Sequence, residues 1–120
     1  MDAKLVRALI EGLTSAAPNP RISGVLKNAA RHGDADVRAS AIAALAVHGA
    51  ASAHDTIVAA LADPSWPVRV RAAAAAGKLR IAGASGALHS LKEHDPNWWV
   101  RHRAGEALAH IDAPSLAVRF

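Results

Sequence analysis

A chain of 120 residues, 52% hydrophobic, with a net charge of +4 and no cysteine, suits one domain with a buried core and excludes disulfide staples and cysteine-ligated metal. Its aromatic residues are Trp66, Trp98, Trp99 and Phe120, so the core is expected to be built from alanine and aliphatic side chains on closely approaching helices. No apolar run approaches the roughly 18 residues a membrane span needs, and no charged-then-apolar leader opens the chain; both point to a soluble, cytoplasmic protein with no membrane partner.

Taken in order, residues 1–17 place Leu5, Val6, Leu9, Ile10 and Leu13 at helical spacing, which predicts an amphipathic helix with these five inward. Pro18-Asn19-Pro20 stops it. Arg21 to Arg31 predicts a second helix with Ile22, Val25, Leu26 and Ala29 inward, closed by Gly33.

From here the sequence repeats. Val-Arg steps fall at 6, 37, 68 and 100, intervals of 31, 31 and 32 residues, and a period in this range marks stacked supersecondary units. Asp34, Ser65 and Asn97 each stand three residues before the Val and are favoured N-cap types, which predicts a helix start at the same point of every unit. The triplets Val37, Ala41, Leu45; Val68, Ala72, Ala76; and Val100, Ala104, Leu108 hold one face of those helices, which are expected to run to His48, to Leu79 or Arg80, and to Ile111. Shorter helices over Asp55–Ala62 and Ser85–Lys92 precede two of them. The Asp63-Pro64 and Asp95-Pro96 steps break the chain between partners, and Glu93-His94 reads as a two-residue insertion.

The expected architecture is therefore all-α, an α-α superhelix of about three and a half helical hairpins in one domain. Residues 1–17 form a leading half-repeat, 20–49, 50–80 and 81–112 the repeats, and 113–120 a tail that either caps the last unit or leaves a self-association surface for a homodimer.

Asp-Pro-x-Trp-x-Val-Arg-x-Arg-Ala at Asp63–Ala72 and Asp95–Ala104 resembles the HEAT-like repeats of the phycobilisome-lyase type, over about residues 20 to 112. The resemblance implies an interaction scaffold, or an accessory subunit of an enzyme or chromophore-lyase complex. It also implies a structural ladder in which Arg38, Arg69 and Arg101 pair with turn aspartates such as Asp63 and Asp95. His32 stands where the first unit's turn aspartate would be, so the ladder departs from the pattern there. Ala75-Ala76-Gly77, in place of Ala-Leu-Gly, implies a thinner core at that layer.

Catalytic and metal chemistry find little support. His102, Glu106 and His110 share a helix side, but i and i+8 lie about 12 Å apart, too far for one ion held at about 2 Å. His48 occupies a core-stripe position matching Leu79 and Ile111, which predicts a partly buried structural role. None of the serines sits in a Gly-x-Ser-x-Gly elbow, and Gly83-Ala84-Ser85-Gly86 lacks the lysine of a phosphate loop. The reading is a protein that is not an enzyme, with no catalytic residues, metal or cofactor.

The tryptophans carry the functional reading. Trp66, Trp98 and Trp99 lie at the same end of successive longer helices with Arg71, His102, Arg103 and Glu106 in the following turns, and Trp and Arg dominate binding hot spots. These seven residues are the expected surface for a protein or peptide partner. A structural role for Trp66 and Trp98, filling space beside the neighbouring turn, is the competing reading. Net charge is +3 over residues 1–31, −2 over 32–62, +4 over 63–92 and −1 over 93–120. The basic segments make a nucleic-acid partner held by Arg69, Arg71, Lys78, Arg80 and Arg103 the second reading.

Overall fold

The computed structural model describes residues 2–49 and 51–113. They form seven α-helices: α1 (Ala3–Thr14), α2 (Pro20–Ala29), α3 (Ala35–His48), α4 (His54–Ala60), α5 (Trp66–Lys78), α6 (Ser85–His94) and α7 (Trp98–Asp112). Short 3-10 turns at Ala51–Ala53 and Ala82–Ala84 lead into α4 and α6, and no strand occurs among the described residues. The tail beyond Ala113 lies outside them.

Two layers result. The longer helices α3, α5 and α7 lie side by side, with α1 extending the row, while α2, α4 and α6 each back onto the longer helix that follows. The extents of 46 × 36 × 17 Å fit a slab two helices thick. Neighbours in the longer row are in direct contact, whereas α2 and α4 are held apart by an open hollow of 770 Å³ lined by Arg21, Gly24, Asn28, Ser52 and Thr56. Tight spacing in one layer and wide spacing in the other bends the stack, so the row α1, α3, α5, α7 lines the concave side.

The core stripe follows the repeat. Val37, Ala41, Leu45, Val68, Ala72, Ala76, Val100, Ala104 and Leu108 are all buried, with Leu26, Ile57 and Leu88 filling the layer between the two rows. Because the inner positions of α5 are alanines, α7 comes very close: a Cβ built on Gly77 would stand 2.7 Å from the Ala107 Cα. The thinner core implied by Ala75-Ala76-Gly77 is thus taken up by helix approach.

Three inward assignments are corrected. On α1 only Ile10 is buried, with Val6 and Leu13 partly so, while Leu5 and Leu9 are 60% and 58% exposed. On α2, Val25 is likewise exposed. A terminal helix of a stack has a neighbour on one side only, so a broad apolar face is half covered.

The turns before the longer helices carry the ladder. Arg38 donates from Nε and Nη2 to both carboxylate oxygens of Asp63, at 2.9 and 3.1 Å, and Arg69 does the same to Asp95, at 2.7 and 3.2 Å. The remaining Nη1 of each donates back to its own turn, Arg38 to the His32 and Gly33 carbonyls and Arg69 to those of Asp63 and Pro64. Each guanidinium therefore ties the turn of one unit to the turn of the next. Burial alone would push the Asp63 carboxyl upward, but the Arg38 bond, the Ser65 N–H and the charges of Arg38 and Arg69 together hold it below the usual carboxylate range. The Arg38 guanidinium is pushed up in turn by its bond to Asp63.

His32 does half of a turn aspartate's work. Oδ1 of Asp63 and of Asp95 accepts the N–H two residues on, and Nδ1 of His32 accepts the Asp34 N–H at 3.0 Å in the same way. An Nδ1 that accepts is unprotonated, so this imidazole is the neutral Nε2–H tautomer. It has no second acceptor to offer an arginine, and among the described residues the ladder starts at Arg38.

The three N-cap positions are not equivalent. Asp34 accepts from the Asp36 and Val37 N–H groups, and Asn97 from those of Trp99 and Val100. Ser65 begins α5 without a side-chain bond. Its second helical residue is Pro67, which has no N–H to offer, and that turn is held instead by Asp63 Oδ1 on the Ser65 N–H. His48 ends α3 by donating Nε2–H to the Leu13 carbonyl at 2.9 Å, which couples the last turn of α1 to the stack.

Candidate interaction surface

Helical register places Asp36, Ser40, Ala43 and Val47 of α3, Pro67, Arg71, Ala74 and Lys78 of α5, and Trp99, Arg103, Glu106 and His110 of α7 on matching stripes, each beginning one residue before the stripe valine and running beside the buried stripe. Their side chains are exposed or half-buried while the core neighbours are covered. This is the concave surface.

The most organised part of it is the first two turns of α7. Asn97 fixes the helix start through two backbone N–H groups, and this sets the directions of Trp98 and Trp99. Their rings stack with centroids 5.8 Å apart and planes inclined at 23°. The Arg103 guanidinium lies 5.9 Å from the Trp99 ring centre, within cation–π range, and donates to Glu106 Oε1 at 2.8 Å. His102 Nε2 stands 3.5 Å from the same oxygen. Glu106 thus orients Arg103 over the indole, and four side chains form one preassembled cluster.

Its exposure distinguishes it from packing filler. Trp98 is 65% exposed, and Trp66 and Trp99 are also open to solvent, although all three are large apolar groups. A space-filling role leaves most of Trp98 unaccounted for, whereas Trp66, 45% exposed, has about half of its surface covered. Trp66 stands one unit away, at the register position of Trp98, and takes no part in the stack.

Arg71 belongs to a different feature. With Arg7, Glu11 and Thr14 of α1 and Ser40, Ala43 and Val47 of α3 it lines a concave hollow of 330 Å³. Sequence reasoning did not single out Arg7, Glu11 or Ser40. The signal was present, since Ser40 holds the register position of Arg71 and Arg103, but a polar residue on a polar face carries no mark of its own.

Of the basic residues assigned to a nucleic-acid surface, Arg69 is withdrawn: both faces of its guanidinium are committed to Asp95 and to its own turn. Arg71 and Lys78 stay exposed, and Arg80 reaches the Ala113 carbonyl at 3.5 Å. Among the described residues no group of three or more His, Asp or Glu side chains is arranged to hold a metal ion. No helix among them is long and apolar enough to cross a membrane.

No curated protein matches the chain. The HEAT-repeat family model matches residues 22–109, from the first turn of α2 to the last turn of α7, which covers most of the chain and the whole of the repeating ladder and core stripe. With paired helices stacked in two layers and that match across them, the chain belongs to the HEAT-repeat family.

Proposed function

We propose that the protein is a non-enzymatic interaction module that binds a protein or peptide partner on its concave surface, anchored by the α7 cluster. The single observation that carries this reading is the preassembled group of Trp98, Trp99, Arg103 and Glu106, with two indoles open to solvent and the cation held over one of them. Binding energy comes from desolvating the indoles, and little ordering entropy is lost because the side chains already hold one another. Trp66, Arg71 and His102 extend the surface along the row. HEAT repeats commonly mediate protein–protein interaction, which agrees with this assignment.

The Asp-Pro turns support a likeness to phycobilisome-lyase-type units and hence to accessory subunits of enzyme complexes, with the same surface in the same role. A polyanion partner is the weaker reading, since the basic set has lost Arg69 and Arg103 is already neutralised by Glu106.

The test is affinity capture from cell extract with the wild type and with Trp99→Ala/Arg103→Ala, each checked for helical circular dichroism and thermal midpoint. A partner retained by the wild type and lost by a variant that still folds supports the surface. Identical captures, or capture only of nucleic acid released by salt, sink it.

A further inference from the structure

The ladder has a rung whose other half lies outside the described chain. Arg101 holds the position of Arg38 and Arg69, and its Nη1 is anchored to the Asp95 carbonyl at 2.7 Å as theirs are to the carbonyls of their own turns. This anchor aims the Nε and Nη2 edge outward from the last unit, as it does in the two complete rungs. Among the described residues no carboxylate meets that edge.

The face around it is shaped for another helix. On α3 and α5 the positions five and nine residues after the stripe valine are Ile42 and Ala46, and Ala73 and Gly77, all buried, and Gly77 lies against Ala107 of the next longer helix. On α7 the same positions are Gly105 and Ala109. A Cβ on Gly105 would meet only the Lys92 stem at 3.8 Å, and Ala109 is exposed. At 100° per residue Arg101, Gly105, Ala109 and Asp112 fall within one quadrant of the helix, and Trp98 lies inside it, between the directions of Gly105 and Ala109. The Asp112 carboxylate is exposed and makes no side-chain bond among the described residues.

A cation near one end of this face and an anion near the other, about 16 Å apart along the axis at 1.5 Å per residue, make it self-complementary. We propose that α7 packs on α7 of a second copy, antiparallel about a two-fold axis, with Arg101 of each chain donating to Asp112 of the other. An isologous contact forms both pairs at once and closes as a dimer. The small residues let the helices approach, and the two charge pairs set the register. The proposal concerns the end of the stack; of the surface assigned above it shares Trp98 alone, and Arg101 and Asp112 take no part in that surface.

Sedimentation velocity and native mass spectrometry over a dilution series test it. The expected result is a monomer–dimer equilibrium for the wild type, weakened by about a hundredfold or more in Asp112→Arg, because the two-fold contact loses both charge-assisted pairs, each worth about tenfold. Asp112 is exposed, so this variant keeps the fold. Mixing Asp112→Arg with Arg101→Glu should restore the dimer as a heterodimer, because both pairs then carry opposite charges. If Arg101→Glu is too unstable to use, the double variant Arg101→Gln/Asp112→Asn replaces it, and dimer loss is expected there too. A wild type that is monomeric at every concentration, or a dimer indifferent to Asp112→Arg, overturns the proposal.

Discussion

Gly77 lies directly against Ala107, so close that the smallest side chain at 77 would overlap the α7 backbone, with 2.7 Å to the Ala107 Cα and 3.0 Å to its Cβ. The clash is with backbone, which has no rotamer to escape into. In an isolated helix Gly→Ala would gain about 1 kcal/mol. Here the forced separation of α5 and α7 reverses the sign, and Gly77→Ala is expected to destabilise by about 1–3 kcal/mol, the range for overpacking. Urea unfolding followed by circular dichroism measures it; a variant as stable as wild type would mean that the two helices are not in this contact.

The Arg38–Asp63 rung gives stability a dependence on acidity. The Asp63 carboxyl is depressed in the fold. Its contribution is therefore complete above the unfolded value, about 3.9, and is lost as pH falls through the lower folded value. Asp63→Asn removes one acceptor of a nearly buried, charge-assisted pair and is expected to cost about 1–3 kcal/mol at neutral pH. The difference between wild type and Asp63→Asn should shrink as unfolding is repeated from pH 5 downward, in steps on the order of half a unit. A difference that stays constant into that acid range would show that the carboxylate charge contributes nothing.

Arg80 is the only described non-glycine residue with positive φ, at 51°. It follows the end of α5 in a Schellman arrangement, in which the Ile81 N–H bonds the Ala76 carbonyl at 2.9 Å and the Arg80 N–H bonds that of Gly77. Glycine suits that place without the Cβ penalty, and α3 ends on Gly49 with φ 68°. Arg80→Gly is expected to raise stability by about 0.5–1 kcal/mol, read as a higher thermal midpoint. A lowered midpoint would mean that the Arg80 side chain, through its reach to Ala113, outweighs the strain.

The longer helices were legible because one period fixes both their starts and their buried stripe; Val37, Val68 and Val100 fall in equivalent places. The end of the stack was not. Leu5, Leu9 and Ile10 are all large aliphatic residues on one helix, and composition cannot tell which of them the single neighbour α3 covers. The structure buries Ile10 and leaves Leu9 open. Ile10→Ala is then expected to cost about 2–4 kcal/mol and Leu9→Ala well under 1. Equal losses in chemical denaturation would place Leu9 inside a contact that the described chain does not make. The candidate surface was legible in part for a similar reason. The shared position of the tryptophans at the starts of the longer helices marked the surface, but the bonds from Glu106 to Arg103 depend on rotamers that spacing does not encode.

Capping shows the same limit within a single turn. Asp34, Ser65 and Asn97 are interchangeable as N-cap types, yet only Asp34 and Asn97 accept backbone N–H groups. Pro67 removes the donor that a Ser65 hydroxyl would meet at the second helical residue, and the Val68 N–H turns to the Ser65 carbonyl at 3.1 Å. Asp34→Ala and Asn97→Ala should therefore each cost about 1 kcal/mol, while Ser65→Ala should change stability by no more than a few tenths, as at an ordinary surface site. Pro67→Ala restores the missing N–H, and in that background Ser65→Ala should become costly, a coupling read from a double-mutant cycle. If Ser65→Ala alone is as damaging as Asn97→Ala, the hydroxyl caps α5 after all, and the asymmetry between the turns is not a consequence of the proline.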